Sequence, residues 1–334
     1  QPTRLDFVNP NLYYHEVTIN TYPLFDYPPY ELALSGKIVD VVKYEKLDLL
    51  HVHYAIPHAS AAFMAREILE TEGIYIPFIT TLHGTDITLV GKDPSYEPVV
   101  TFSINKSDGI TAVSESLRKD TLEHFNITKE IRVIPNFIDL SRFRKQKKDH
   151  FKKAICPNDE KLIVHTSNFR KVKRVEDVLT VFKNIREVMP VKLLLVGDGP
   201  ERMIIENMCR ELGTCDDIRF LGKLEHIEEV LSVSDLFVMP SEKESFGLAA
   251  LEAMACGTPV VCSNLASLPE VAGDAAIQVD PRNAASLAEA AVDTVDSVMK
   301  ADIWQRAVRR DCPAGPGNSP MPPADARPDT RRPP

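Results

Sequence analysis

Pro240-Ser-Glu-Lys-Glu-Ser-Phe-Gly-Leu-Ala-Ala-Leu-Glu-Ala-Met-Ala-Cys-Gly-Thr-Pro-Val-Val261 is the stretch on which the reading of this chain turns. An apolar run, Leu236 to Met239, feeds an acidic turn, and the small residues from Gly247 to Ala255 have the spacing of a helix closed by Gly257 and Pro259. A buried strand thus delivers carboxylates to a helix start. Glu244 precedes the helix and Glu252 lies eight residues on, inside it. The unpaired N–H groups of the first turn and the positive end of the helix dipole favour a phosphate. A carboxylate does not attract a phosphate, so the work left for this pair is to accept hydrogen bonds from sugar hydroxyls. Gly247 and the alanines at 249, 250, 253 and 255 keep turn and helix narrow enough for a ligand or another backbone to come close. In isolation two such glutamates are ordinary solvation; their setting makes them candidates.

On either side of this stretch, strands and helices alternate. After it come strands Pro259–Cys262 and Ala276–Val279 and helix Ala284–Val298. Before it lie strand Leu162–Thr166, helix Val175–Val188, strand Lys192–Val196, helix Glu201–Leu212, strand Ile218–Leu221 and helix His226–Val233. Further back, Leu12–Ile19, Asp48–His53, Pro77–Leu82, Gly109–Val113 and Ile131–Ile134 have strand character. Helical spacing marks Pro28–Lys46, Ala59–Leu69, Glu97–Asn105 and a segment capped by Ser114. Alternation at this spacing implies α/β architecture with parallel sheets covered on both faces. The expected division is a first Rossmann-like domain at 1–140, a polar, Lys-rich linker at 141–159 and a second Rossmann-like domain at 160–300. A doubly wound half ordinarily opens with a buried strand and a glycine-rich turn. No G-x-G-x-x-G occurs, and the first domain is expected to lack both. Beyond about Ala301 the periodicity stops, and Cys312 to Pro334 holds eight of the 25 prolines, so a disordered or aberrant tail is expected at 301–334.

With 334 residues, 44% apolar and 26% charged, the composition is that of a soluble globular protein. No run approaches membrane-spanning length and the start lacks a basic-then-apolar signal, so the cytoplasm is the expected compartment. A net charge of −9 without a long basic tract argues against nucleic acid as the partner. An anionic substrate must then be met by local positive charge. None of the six cysteines (Cys156, Cys209, Cys215, Cys256, Cys262 and Cys312) stands in a Cys-x-x-Cys pair, and reduced thiols are expected. A homo-oligomer stays open.

Local positive charge is densest in Ser167-Asn-Phe-Arg-Lys-Val-Lys-Arg174, which follows the first strand of the second domain, where an open sheet places its ligands. Arginine and lysine there suit a diphosphate leaving group; on composition alone a solvated basic turn is an equal alternative. Val196-Gly-Asp-Gly-Pro200 is another strand-end turn. In the first domain, His51-Val-His-Tyr-Ala-Ile-Pro-His58 and Thr80-Thr-Leu-His-Gly-Thr-Asp86 both fall at strand ends. Alternate histidines share one face of a strand without binding metal, and no carboxylate is interleaved, so no metal is expected. His83, beside Gly84 and Asp86, reads as a polar group on the interdomain cleft.

The Glu-Ser-Phe-Gly-Leu run, its second glutamate and the following Ala-Cys-Gly-Thr-Pro-Val-Val resemble the donor-site motif of the retaining glycosyltransferases of family four, whose two facing Rossmann-like domains form the GT-B fold. Together with the two histidine motifs and the basic turn, they are similar to the branch of that family that opens bacillithiol biosynthesis, transferring N-acetylglucosamine from its UDP donor to the hydroxyl of L-malate. The likeness covers roughly residues 10–298. It implies UDP-N-acetylglucosamine as donor, a small dicarboxylate as acceptor, and no metal or cofactor. It further implies contacts from Glu252 to the ribose, from Glu244 and the backbone of Phe246, Gly247 and Leu248 to donor sugar and phosphate, and a nucleotide pocket bordered by Gly197 and Gly222. The family carries an arginine where Asn168 stands and a lysine five residues on, matched by Lys173. Arg170 is expected to supply the absent charge. Arg170 and Lys173 then face the diphosphate, and His83 and Glu244 the reacting centre. Tyr54 and Thr81 are the acceptor candidates. Retention without an enzymic nucleophile implies front-face substitution. A family member with a lipid or polysaccharide acceptor, and a nucleotide-sugar-binding fragment without turnover, stay open.

Overall fold

A computed structural model describes residues 11–19, 29–89, 91, 93–146 and 149–297. In the first half, α1 (Tyr30–Glu45), β1 (Leu50–His53), α2 (Ser60–Glu70), β2 (Phe78–Leu82), α3 (Glu97–Lys106), β3 (Gly109–Ala112), α4 (Glu115–His124) and β4 (Ile131–Val133) alternate. The four strands are parallel, in the order β1-β2-β3-β4. Helical crossovers follow from that pairing, since a parallel neighbour is reached only through a long connection. Ser114 starts α4 as expected, its hydroxyl accepting from the Leu117 N–H at 3.0 Å.

Leu12–Ile19 is not a strand. Strand character becomes a strand only when a ladder partner takes up the backbone N–H and C=O groups, and among the described residues β1 pairs with β2 alone. The tail expected at 301–334 lies outside the described residues.

In the second half α5 (Asp149–Ile155) precedes β5 (Lys161–Ser167), α6 (Val175–Arg186), β6 (Val191–Gly197), α7 (Arg202–Glu211), β7 (Ile218–Gly222), α8 (Ile227–Val233) and β8 (Leu236–Met239). The motif helix α9 (Leu248–Ala255) leads to β9 (Val260–Ser263), α10 (Leu268–Ala272), β10 (Ile277–Val279) and α11 (Ala284–Ser297). Six parallel strands lie in the order β10-β9-β8-β5-β6-β7. Both faces of the central strands are covered: Ile163, Leu193 and Leu195 face one core, and Leu162, Val164, Leu194 and Val196 the other. Helix α5 falls in the stretch expected as linker. Its lysines hide it in the sequence; Lys152 pairs with Asp235 at 2.7 Å, while Phe151 and Ile155 pack on the second core.

Cys209, in the last turn of α7, and Cys215 form a disulfide, with Cα atoms 5.3 Å apart. This corrects the expectation of reduced thiols for that pair. The end of the helix and the bend at Gly213 fold the chain back, a proximity that motif spacing does not register. Cys156, Cys256 and Cys262 are buried free thiols. Among the described residues no helix is long and apolar enough to cross a membrane.

Candidate active site between the two sheets

From β5 the chain runs outward through β6 and β7, then returns to lay β8 on the other side of β5. Such a reversal of strand order opens a crevice at the carboxyl ends of the two central strands. The basic turn after β5 and the acidic turn after β8 are the lips of that crevice. They are joined at three points. Glu242 N–H donates to Val172 C=O at 2.9 Å, Arg174 reaches Glu242 at 2.7 Å, and Lys173 Nζ lies 2.6 Å from Glu244 Oε1. Arg170 differs from its neighbours: it is exposed, and among the described residues its guanidinium has no partner. Asn168 is exposed beside it.

Sequence reasoning missed what holds the basic turn in place. His165 is fully buried in β5, where its Nδ1–H donates to Val238 C=O at 2.8 Å and its Nε2 accepts from the Ser167 hydroxyl at 2.9 Å. Burial holds its pKa down at about 4, so the ring stays neutral and its tautomer is fixed by its two partners. Ser167 Oγ in turn accepts from the Phe169 N–H at 3.3 Å. Gly197 completes the arrangement. Its φ is 121°, and a Cβ there would stand 1.8 Å from Ser167 O. The glycine turn therefore serves first to let its own backbone meet the basic turn. Gly222 closes β7, with Val196 as its register partner.

Gly247, with φ 97°, starts α9, and Leu248 follows half exposed. Phe246 turns away from its own domain. The residue is 6% exposed and belongs to the hydrophobic core of the first half, with residues such as Leu82, Ile87, Val113, Leu117 and Phe125. Around it, Ser114 Oγ donates to Ser245 C=O at 2.7 Å. The Glu270 carboxylate on α10 accepts from the Glu115 N–H at 2.9 and 3.0 Å and from the Ser116 N–H at 3.2 Å, satisfying the free end of α4 across the interface. Gly84, with φ 108°, is so close that a Cβ would lie 2.5 Å from Ser245 Cβ. The His83-Gly84 turn thus touches the Glu244-Ser245-Phe246 turn directly. An aromatic residue inside an otherwise charged and small loop was the available signal; nothing local announces Glu270.

On the first-half side, His83 Nε2 is 2.7 Å from His53 Nδ1, and the Tyr54 ring centroid is 5.0 Å from that of His83. Burial first, then the neighbouring imidazoles, push both His53 and His83 below the usual histidine range. Asp86 is buried beneath, accepting from the Ala55 N–H at 2.7 Å and the Gly84 N–H at 3.1 Å; burial raises its carboxyl above the usual range. Thr81 is 8% exposed and its hydroxyl is engaged on both sides, by His51 Nε2 and Thr111 Oγ1, each at 2.7 Å. Tyr54 is half-buried, with φ 76°. Glu252 occupies a separate environment. Burial raises its carboxyl, Glu228 adds to that effect and Arg142 opposes it. Arg142 is itself tied to Glu228 at 2.9 Å. The composition of the linker did not single it out.

Two family models together span almost the whole chain: Glycosyltransferase Family 4 over residues 2–142 and Glycosyl transferases group 1 over residues 146–310. N-acetyl-alpha-D-glucosaminyl L-malate synthase of Bacillus anthracis is 44% identical over 310 residues, 92% of this chain and 81% of that protein. The chain belongs to glycosyltransferase family 4. This glycosyltransferase has the GT-B fold of its solved neighbours. Anabaena HepE in complex with UDP and glucose superposes with a TM-score of 0.72 at 20% identity, over 82% of this chain and 74% of that one. Alpha-monoglucosyldiacylglycerol synthase of Streptococcus pneumoniae is a more distant relative, 28% identical over 265 residues, 73% of the glycosyltransferase described here and 58% of its own length.

Proposed function

We propose that this glycosyltransferase moves N-acetylglucosamine from UDP-N-acetylglucosamine to the hydroxyl of L-malate with retention, the first step of bacillithiol biosynthesis. The observation that carries this reading is the 44% identity to the B. anthracis synthase across both halves. The lips of the crevice suit such a donor. Lys173 and the unpaired Arg170 take up charge as the bond between the sugar C1 and the β-phosphate oxygen breaks. The departing diphosphate accepts the malate hydroxyl proton while the new C1–O bond forms on the same face, so the enzyme's own contribution is position and charge. Glu252 holds the ribose hydroxyls, and Glu244 with the backbone of Phe246, Gly247 and Leu248 holds sugar and phosphate. Tyr54 and His83 face the acceptor and the reacting centre. In this reading arginine and lysine neutralise the diphosphate without a metal.

The test is UDP release from UDP-N-acetylglucosamine with and without L-malate, with the product mass checked. Malate-dependent release is expected. Release that ignores malate but responds to a diacylglycerol-type lipid would move the chain to the lipid-acceptor branch.

A further inference from the structure

We infer that His53 is a positioning residue for His83, through one proton shared between His53 Nδ1 and His83 Nε2. The inference rests on the reading above only in taking His83 as a group of the reacting centre. Both histidines lie at carboxyl ends of neighbouring parallel strands, β1 and β2, so the sheet register presents their rings side by side. The ring nitrogens are 2.7 Å apart and the centroids 4.9 Å. At that separation one nitrogen must carry the hydrogen and the other the lone pair. The contact fixes the plane of the His83 ring and leaves His83 Nδ1 for the cleft.

Further contacts keep His53 from following His83 if the latter moves. Its ring lies against that of His51, with centroids 4.8 Å apart, and His51 is anchored to Thr81. Its carbonyl accepts from His58 Nδ1. From the other side His83 is held by the Tyr54 ring, and its turn is closed by Asp86 and pressed by Ser245. The titratable groups beside the pair are His51 and His58 on the strand and turn of His53, Tyr54, whose ring lies against that of His83, and Asp86 below.

One added proton leaves an imidazolium donating to a neutral imidazole; only when both rings are charged do two N–H groups oppose each other and break the contact. Activity is therefore expected to fall on acidification, with an acid limb below the usual histidine range because burial and the neighbouring imidazoles disfavour the charged rings. His53→Phe should lower kcat about 10- to 100-fold, the cost of a small misplacement of a reacting group, with donor KM within about threefold and the acid limb moved to higher pH. His53→Asn, which keeps a hydrogen-bonding atom near the Nδ1 position, should restore most of kcat. Imidazole 15N NMR on the full chain without substrate should show the two rings sharing one hydrogen bond and His83 titrating higher in His53→Phe.

Wild-type kcat and pH profile in His53→Phe would overturn the assignment. So would equal losses in both variants, or rings that titrate independently by NMR, which needs no catalysis. If the paired rings are seen but the wild-type protein transfers nothing to malate, the acceptor reading fails and the hold of His53 on His83 stands.

Discussion

Lys173 Nζ and Glu244 Oε1 stand 2.6 Å apart, on opposite lips of the switch-point crevice, with side chains only 17% and 9% exposed. Each is the other's compensation before any donor arrives. In the proposed function a diphosphate entering there would compete with Glu244 for the lysine and free the carboxylate for sugar hydroxyls.

Lys173→Ala should lower turnover by about 100-fold, the scale of losing one charge-stabilising donor, and should also destabilise the fold, because Glu244 is left buried and unpaired. Adding Glu244→Gln should recover the melting temperature without recovering turnover. Strictly additive losses of stability in the double variant would show that the two side chains are not coupled.

Phe246→Ala removes the aromatic ring that one half lends to the core of the other. A loss of about 3–5 kcal/mol is expected, as for other buried phenylalanines, together with a urea transition that separates into two. Glu270→Gln, which weakens the acceptor at the start of α4, should move the same transition in the same direction by less. A single unshifted transition in Phe246→Ala would mean that the ring does not join the halves.

His165 makes stability depend on pH. Its folded pKa of about 4 lies below the ordinary 6.5, so between those values the unfolded chain binds the extra proton and the folded one does not. The contribution is complete above pH 6.5, falls as pH drops towards 4 and is constant below; the full span corresponds to about 3 kcal/mol. Urea midpoints measured from pH 7.5 to 4.5 should therefore decline, and His165→Gln should flatten that decline. An equal slope in both proteins would assign the acid sensitivity elsewhere.

Glu252→Gln should weaken UDP binding about 10- to 100-fold by calorimetry, the worth of hydrogen bonds to a charged acceptor. Because burial raises the Glu252 carboxyl and Arg142 opposes that rise, wild-type affinity should fall on acidification at a higher pH than an ordinary glutamate would give. Arg142→Leu should move the fall higher still. Affinity insensitive to both substitutions would remove Glu252 from the donor site.

Periodicity and turn chemistry made most of the elements legible, because strands buried on both faces are uninterrupted apolar runs and their helices carry one apolar face. Leu12–Ile19 misled because apolar character does not say whether a partner strand exists, and α5 was concealed because the packing of Phe151 and Ile155 and one ion pair sufficed to hold a lysine-rich segment. The strand-end placement of Lys173, Glu244 and His83 was legible from local motifs; the pairing of Lys173 with Glu244, 71 residues away, was not. The site was illegible where roles depend on distant contacts. Thr81 offers a hydroxyl in the sequence that His51 and Thr111 already occupy in the fold. Arg142, His165 and Glu270 act through partners 86, 73 and 155 residues away, a distance over which no motif reaches.

Phe246 belongs to one half by sequence and to the other by packing. The two halves therefore cannot be inherited separately. A chimera that takes its second half from another family member must bring a side chain that fits the core of the first half, or change that core with it. Substitutions on the two sides of that seam should accumulate in step.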